Sequence, residues 1–99
     1  MKIAYLILKS PHELEPAELI GRFSSREDSV AILIEDGVYH AIEEEASRHL
    51  SKAAYEILVS GDDLLARGLS ANDLKHGRIV DYEEIVDWIM ERTERTITI

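Results

Sequence analysis

Val30-Ala31-Ile32-Leu33-Ile34, followed at once by Glu35-Asp36-Gly37-Val38, is the stretch on which the fold turns. Unbroken apolarity with a β-branched majority describes a strand buried on both faces, the condition of a strand inside a parallel sheet. The acidic turn with its glycine ends that strand and announces a helix. The same grammar recurs on both sides. Upstream, residues 3–8 (IAYLIL) run without a polar break until Lys9-Ser10-Pro11; downstream, residues 55–59 (YEILV) run into Ser60-Gly61-Asp62-Asp63.

The segments between these strands carry helical spacing. Pro16 suits a first helical position, where its missing N–H costs nothing, and Leu19, Ile20 and Phe23 then share a face. Val38, Ala41, Ile42, Ala46 and Leu50 predict one amphipathic helix over residues 38–51, with Glu43 and Glu44 outside and Arg48 four residues after Glu44. A short helix over 64–67 stops at Gly68, which supplies a left-handed residue. Ser70 with Asp73 and Asp81 with Glu84 have the spacing of capping boxes, and residues 78–80 form a short fourth strand. Tyr82, Ile85, Val86, Ile89 and Met90 predict the next helix and its buried stripe, which leaves Trp88 off the stripe as an interface candidate. Residues 96–99 (TITI) alternate and predict a short edge strand. Strand and helix thus alternate along the whole chain, which gives an α/β fold: a flavodoxin-like three-layer sandwich with a mostly parallel sheet of four to five strands. Residues 1–99 are expected to form one domain.

Composition narrows the function. Twenty acidic residues against 11 basic ones leave a net charge of −9, and no Lys/Arg cluster is available to neutralise phosphates, so direct binding to nucleic acid is not expected. No apolar run approaches the roughly 20 residues that cross a bilayer, and the opening MKIAYLIL is too short for a secretory signal and lacks a cleavage site. A cytoplasmic, membrane-free protein is expected. There is no cysteine, which removes disulfides, thiolate metal ligands and any thiolate nucleophile.

Functional residues of such sheets lie past the carboxyl ends of the strands. Here those positions are 9–12, 35–37, 60–63 and Asp81. Asp36 and Gly37 form either a polar mouth to the sheet or a turn in which Asp caps and Gly permits the tight geometry. Asp62 and Asp63 form an acidic pair, suited to acid–base work if they face each other and to helix capping if they do not. Arg67, ahead of Gly68, can hold an anion or a partner carboxylate, or pair within the chain. His12, His40, His49 and His76 show no i, i+4 metal spacing. Lys9-Ser10-Pro11-His12-Glu13 is a poor phosphate cradle, so neither cofactor nor metal is expected.

Four motifs in order resemble the DsrH/TusB family: LIEDGV at 33–38, LVSGDD at 58–63, LARGL at 65–69 and IVDYEEIV at 79–86. The likeness covers nearly the whole chain and is clearest over 30–90. It implies a flavodoxin-like subunit of a DsrE/F/H-type assembly with DsrE-like and DsrF-like (TusD/TusC-like) partners. Such complexes pass persulfide sulfur from cysteine to cysteine, towards 2-thiouridine at the tRNA wobble position or within sulfur oxidation. A chain without cysteine is then expected to be a non-catalytic subunit. The segment 43–53 departs from the family pattern in being longer and more charged. The alternatives are an independent homo-oligomeric or ligand-binding module, and an acid–base enzyme using strand-end Asp and His.

Overall fold

A computed structural model describes residues 1–99. Its strands are β1 (Ile3–Ile7), β2 (Ser29–Leu33), β3 (Glu56–Ser60), β4 (Arg78–Val80) and β5 (Arg95–Thr98), all parallel, in the spatial order β4-β3-β2-β1-β5. The helices are α1 (Pro16–Phe23), α2 (Glu44–Ala53), α3 (Gly61–Ala66) and α4 (Tyr82–Asp87). The steps from β1 to β4 all move one way across the sheet, so right-handed crossovers put α1, α2 and α3 on one face. The step from β4 to β5 runs back across the sheet and leaves α4 alone on the other face. Two buried clusters record this division. Tyr5, Ile7, Leu33 and Val59 meet Ile20, Leu50 and Leu64 of the three helices; Ala4, Val30, Ile32 and Leu58 meet Ile85 and Trp88. The result is the three-layer flavodoxin-like sandwich. In the usual flavodoxin order the second strand lies outside the first; here the last strand takes that place.

At the amino end of the sheet the buried Tyr5 hydroxyl needs a partner. It finds a chain of hydroxyls: Tyr5 to Ser24 (2.6 Å), Ser24 to Ser29 (2.6 Å), and Ser29 donating to the Ser25 carbonyl (2.7 Å). Because a carbonyl only accepts, the last bond sets the direction of the others, with Tyr5 donating at the far end. The loop between α1 and β2 is thereby stitched to β1.

Several sequence expectations change. Residues 38–51 are not one helix: residues Glu35–Ala41 wind as a 3-10 helix, Glu43 is extended (φ −78°, ψ 131°), and α2 begins afresh at Glu44. Phe23 is 60% exposed, so α1 is held by Pro16 and Ile20. Ser60, and neither aspartate, caps α3 by accepting the Asp63 N–H at 3.3 Å. On α4 the buried residues are Ile85 and Trp88, with Ile89 packed against them, while Tyr82, Val86 and Met90 face out. Trp88, 8% exposed, is a core residue and not a surface anchor. Its ring is covered by the Arg92 guanidinium 4.9 Å from the centroid, and its indole N–H donates to Glu84 (3.4 Å). The capping boxes fare differently: Ser70 and Asp73 close one reciprocally, whereas Asp81 caps α4 and the Glu84 carboxylate turns to Arg78 (2.7 Å).

Candidate functional site

Gly37 fixes the carboxyl pole of the sheet. A Cβ at this position would stand 1.8 Å from the Ile7 carbonyl oxygen, so only glycine lets the 3-10 segment press onto the end of β1. The preceding Glu35 has φ +50°, a left-handed conformation that side chains with a Cβ rarely adopt. The tight, partly strained turn brings Asp36 above the sheet and carries His40 inward.

Arg67 then gathers the acidic turns. Its Nε donates to Asp36 Oδ1 (2.9 Å), its Nη1 to the Asp63 carbonyl (3.1 Å), and the Asp63 carboxylate lies 3.8 Å away. The guanidinium therefore pairs within the chain and ties α3 to the segment after β2. Asp36 caps nothing; its carboxylate serves Arg67. Asp62 is exposed, whereas the Asp63 carboxylate lies against Arg67, so the two carboxylates have different surroundings. Gly68 (φ +71°) ends this helix with open space around it. Of the strand-end residues singled out in the sequence, Asp36, Asp63 and Arg67 come together, Gly37 and Gly68 shape the backbone, and Asp62 and Trp88 lie apart.

Two histidines, His40 and His49, share a cleft near this pole, which their spacing along the chain conceals, and His12 lines a neighbouring hollow. His40 is buried, and its Nε2 lies 2.9 Å from the Lys9 carbonyl. A carbonyl only accepts, so Nε2 carries the proton and Nδ1 is left as an acceptor. Burial lowers the His40 pKa from its ordinary 6.5, outweighing the Lys9 hydrogen bond and the charges of Glu43 and Glu15. His49 Nδ1 meets Glu15 at 2.9 Å and His12 Nε2 meets Glu43 at 3.8 Å. His40, His49, Glu15, Glu43 and Glu45 line a cleft of about 240 Å³ between the starts of α1 and α2. A second hollow of about 410 Å³, sharing Glu43 with the first, is lined by Ser10, His12, Asp36, Tyr39 and Glu43. His76 lies elsewhere, 3.0 Å from Ser47.

Chemically this is an acidic, hydrogen-bonded pole. No three of its His, Asp and Glu side chains share a metal geometry. The loop after β1 spends its polar groups on itself: the Ser10 N–H and hydroxyl approach the Glu13 carboxylate at 3.4 Å, and the Glu13 and Leu14 amides donate to the Ser10 carbonyl. A phosphate would find a carboxylate there in place of open amides. No nucleophile stands beside a base with an orienting third group. The signal that would have found the histidine cleft is the strand-end rule itself, extended one turn past β2.

Two comparisons with known proteins agree on kinship. The family model described as DsrH like protein matches residues 9–95. The solution NMR structure of protein Tm0979 from Thermotoga maritima is similar, with 30% sequence identity and a TM-score of 0.62, over 87% of this chain and 90% of that one. No curated protein matches. No helix is long and apolar enough to cross a membrane.

Proposed function

This chain belongs to the DsrH-like family, and on that premise we propose that it is a non-catalytic subunit of a DsrE/F/H-type sulfur-relay assembly. It works there by shape and contact, with DsrE-like and DsrF-like proteins as partners and tRNA 2-thiolation or sulfur oxidation as the destination of the sulfur. The carrying observation is the absence of cysteine from all 99 residues. In a persulfide relay a thiolate attacks the terminal sulfur of a donor persulfide. The new S–S bond forms on the acceptor, the old one breaks, and the donor leaves as a thiolate. Both ends must be thiols. The thioethers of Met1 and Met90 have no proton to lose and cannot hold a persulfide. The sulfur-bearing atom therefore belongs to a partner.

The net charge of −9 supports the same reading, since an RNA substrate would have to be held by a more basic subunit. A second reading, a self-contained acid–base or ligand-binding module, draws on the His40–His49 cleft. It lacks a nucleophile or an anion cradle to go with the imidazoles. Native mass spectrometry of the chain co-expressed with DsrE-like and DsrF-like proteins tests the proposal. A discrete hetero-oligomer is expected; a chain that stays alone beside both partners would overturn it and leave the module reading in front.

A further inference from the structure

Helix α4 has more apolar surface than the sheet beneath it can cover. Ile85, Trp88 and Ile89 seal the single-helix face of the sheet. Tyr82, Val86 and Met90, at i, i+4 and i+8, make a second stripe that is 72%, 42% and 71% exposed. Tyr82 and Val86 stack on one side of the α-helical turn, and Val86 and Met90 line one groove; the three together make a ridge. Past Asp87 the helix widens into a π turn (Trp88–Arg92), a feature common where helices serve a function.

The surroundings of the ridge are of one sign. An open groove of about 670 Å³ beside it is lined by Asp81, Glu83, Glu84, Asp87 and Glu91 with Val86 and Met90, and by no basic residue. Arg78 answers Glu84 (2.7 Å) and Arg92 answers Asp87 (2.8 Å). Asp81, Glu83 and Glu91 have no such cation. A second copy of the chain docked ridge to ridge would set this acidic patch against the same acidic patch, because a two-fold interface uses one surface on both copies. Like-charge juxtaposition of that kind disfavours the wrong partner.

We propose that the Tyr82–Val86–Met90 ridge and its acidic rim form a docking surface for a different protein, one that offers an apolar patch bordered by lysine and arginine. The ridge supplies the desolvated centre and Asp81, Glu83 and Glu91 supply the steering rim. This inference rests on the subunit reading and names which face of the subunit meets its partner.

Its test is native mass spectrometry of the wild-type chain, Val86→Glu/Met90→Glu, and the control Leu65→Glu, each co-expressed with the DsrE-like and DsrF-like proteins. Leu65 is 77% exposed on α3, across the sheet. All three side chains face solvent, so an unchanged urea midpoint is expected for each variant and is measured first. The expected result is assembly of the wild type and of Leu65→Glu, with binding weakened about tenfold or more in the double variant. Glu83→Lys/Glu91→Lys should also weaken it, and added salt should weaken the wild-type complex. If the double variant assembles like the wild type, the α4 surface is overturned and the subunit reading stands. If the wild type alone forms a dimer that the double variant loses, the occupant is a second copy and the proposal fails. If the wild type binds neither partner, both readings fall together.

Discussion

A methyl group at position 37 would collide with the Ile7 carbonyl at 1.8 Å, and a backbone oxygen at the end of a buried strand has nowhere to move. We expect Gly37→Ala to destabilise the fold by about 3 kcal/mol, the upper end of overpacking costs. Urea unfolding should show the lower midpoint with an unchanged m-value. His40 makes a different demand. Its folded pKa is lowered by burial while the unfolded chain keeps the ordinary 6.5, so below that pH the unfolded state binds more protons. The contribution of His40 is therefore complete above about pH 6.5 and is lost as the pH falls towards the folded value. We expect the urea midpoint of the wild type to drop between pH 7 and pH 5 more steeply than that of His40→Gln, which keeps a donor for the Lys9 carbonyl but does not titrate. Parallel midpoints for the two would remove His40 from the acid response. Neither residue could be ranked from the sequence alone. Gly37 was legible as a turn glycine, but the proximity of Ile7, thirty positions away in the chain, belongs to the fold.

At the scale of elements, the central strands β1 and β2 were legible because burial on both faces leaves a mark that needs no partner, continuous apolarity, while the last strand showed only the alternation of an edge. The helices were less so. Val38, Ala41, Ile42, Ala46 and Leu50 satisfy a 3.6-residue period across a segment that the chain breaks at Glu43. A 3-10 helix places i and i+3 on one side, so Val38 and Ala41 look the same in either geometry. The overlooked sign was Glu43-Glu44-Glu45. Carboxylates gather in the first turn of a helix, where the amino-terminal dipole favours them, and here they mark the restart of α2. On α4 the apolar arc is broader than one face, and periodicity does not say which half the sheet receives. Arg67 joins elements that the sequence could place only side by side. Its side chain is 23% exposed and reaches both the segment after β2 and α3. We expect Arg67→Ala to cost about 1–2 kcal/mol, and Arg67→Lys to recover only part of it, because an ammonium lacks the fork that serves Asp36 and the Asp63 carbonyl together. Full recovery by lysine in thermal unfolding would reduce the contact to a simple charge effect.

The whole molecule is asymmetric in a way that bears on its work. Three helices close one face of the sheet and a single helix closes the other, with a ridge of uncovered apolar side chains on that helix and net negative charge around the surface. The order of elements and the absence of cysteine were plain in the sequence, and with them the α/β class and the lack of any thiol on this chain. The meeting of His40 and His49 in one cleft and the outward turn of Tyr82, Val86 and Met90 were not, since both depend on how helices rotate onto the sheet. The central claim is that this chain promotes sulfur transfer without carrying sulfur. Its most direct test is intact-mass analysis of every subunit after a persulfide donor is supplied to the assembly reconstituted with DsrE-like and DsrF-like proteins, with and without this chain. We expect the added sulfur on a partner's cysteine, never on this chain, and slower or absent transfer when this chain is left out. Sulfur retained on this chain, or transfer that proceeds equally well without it, would contradict the account.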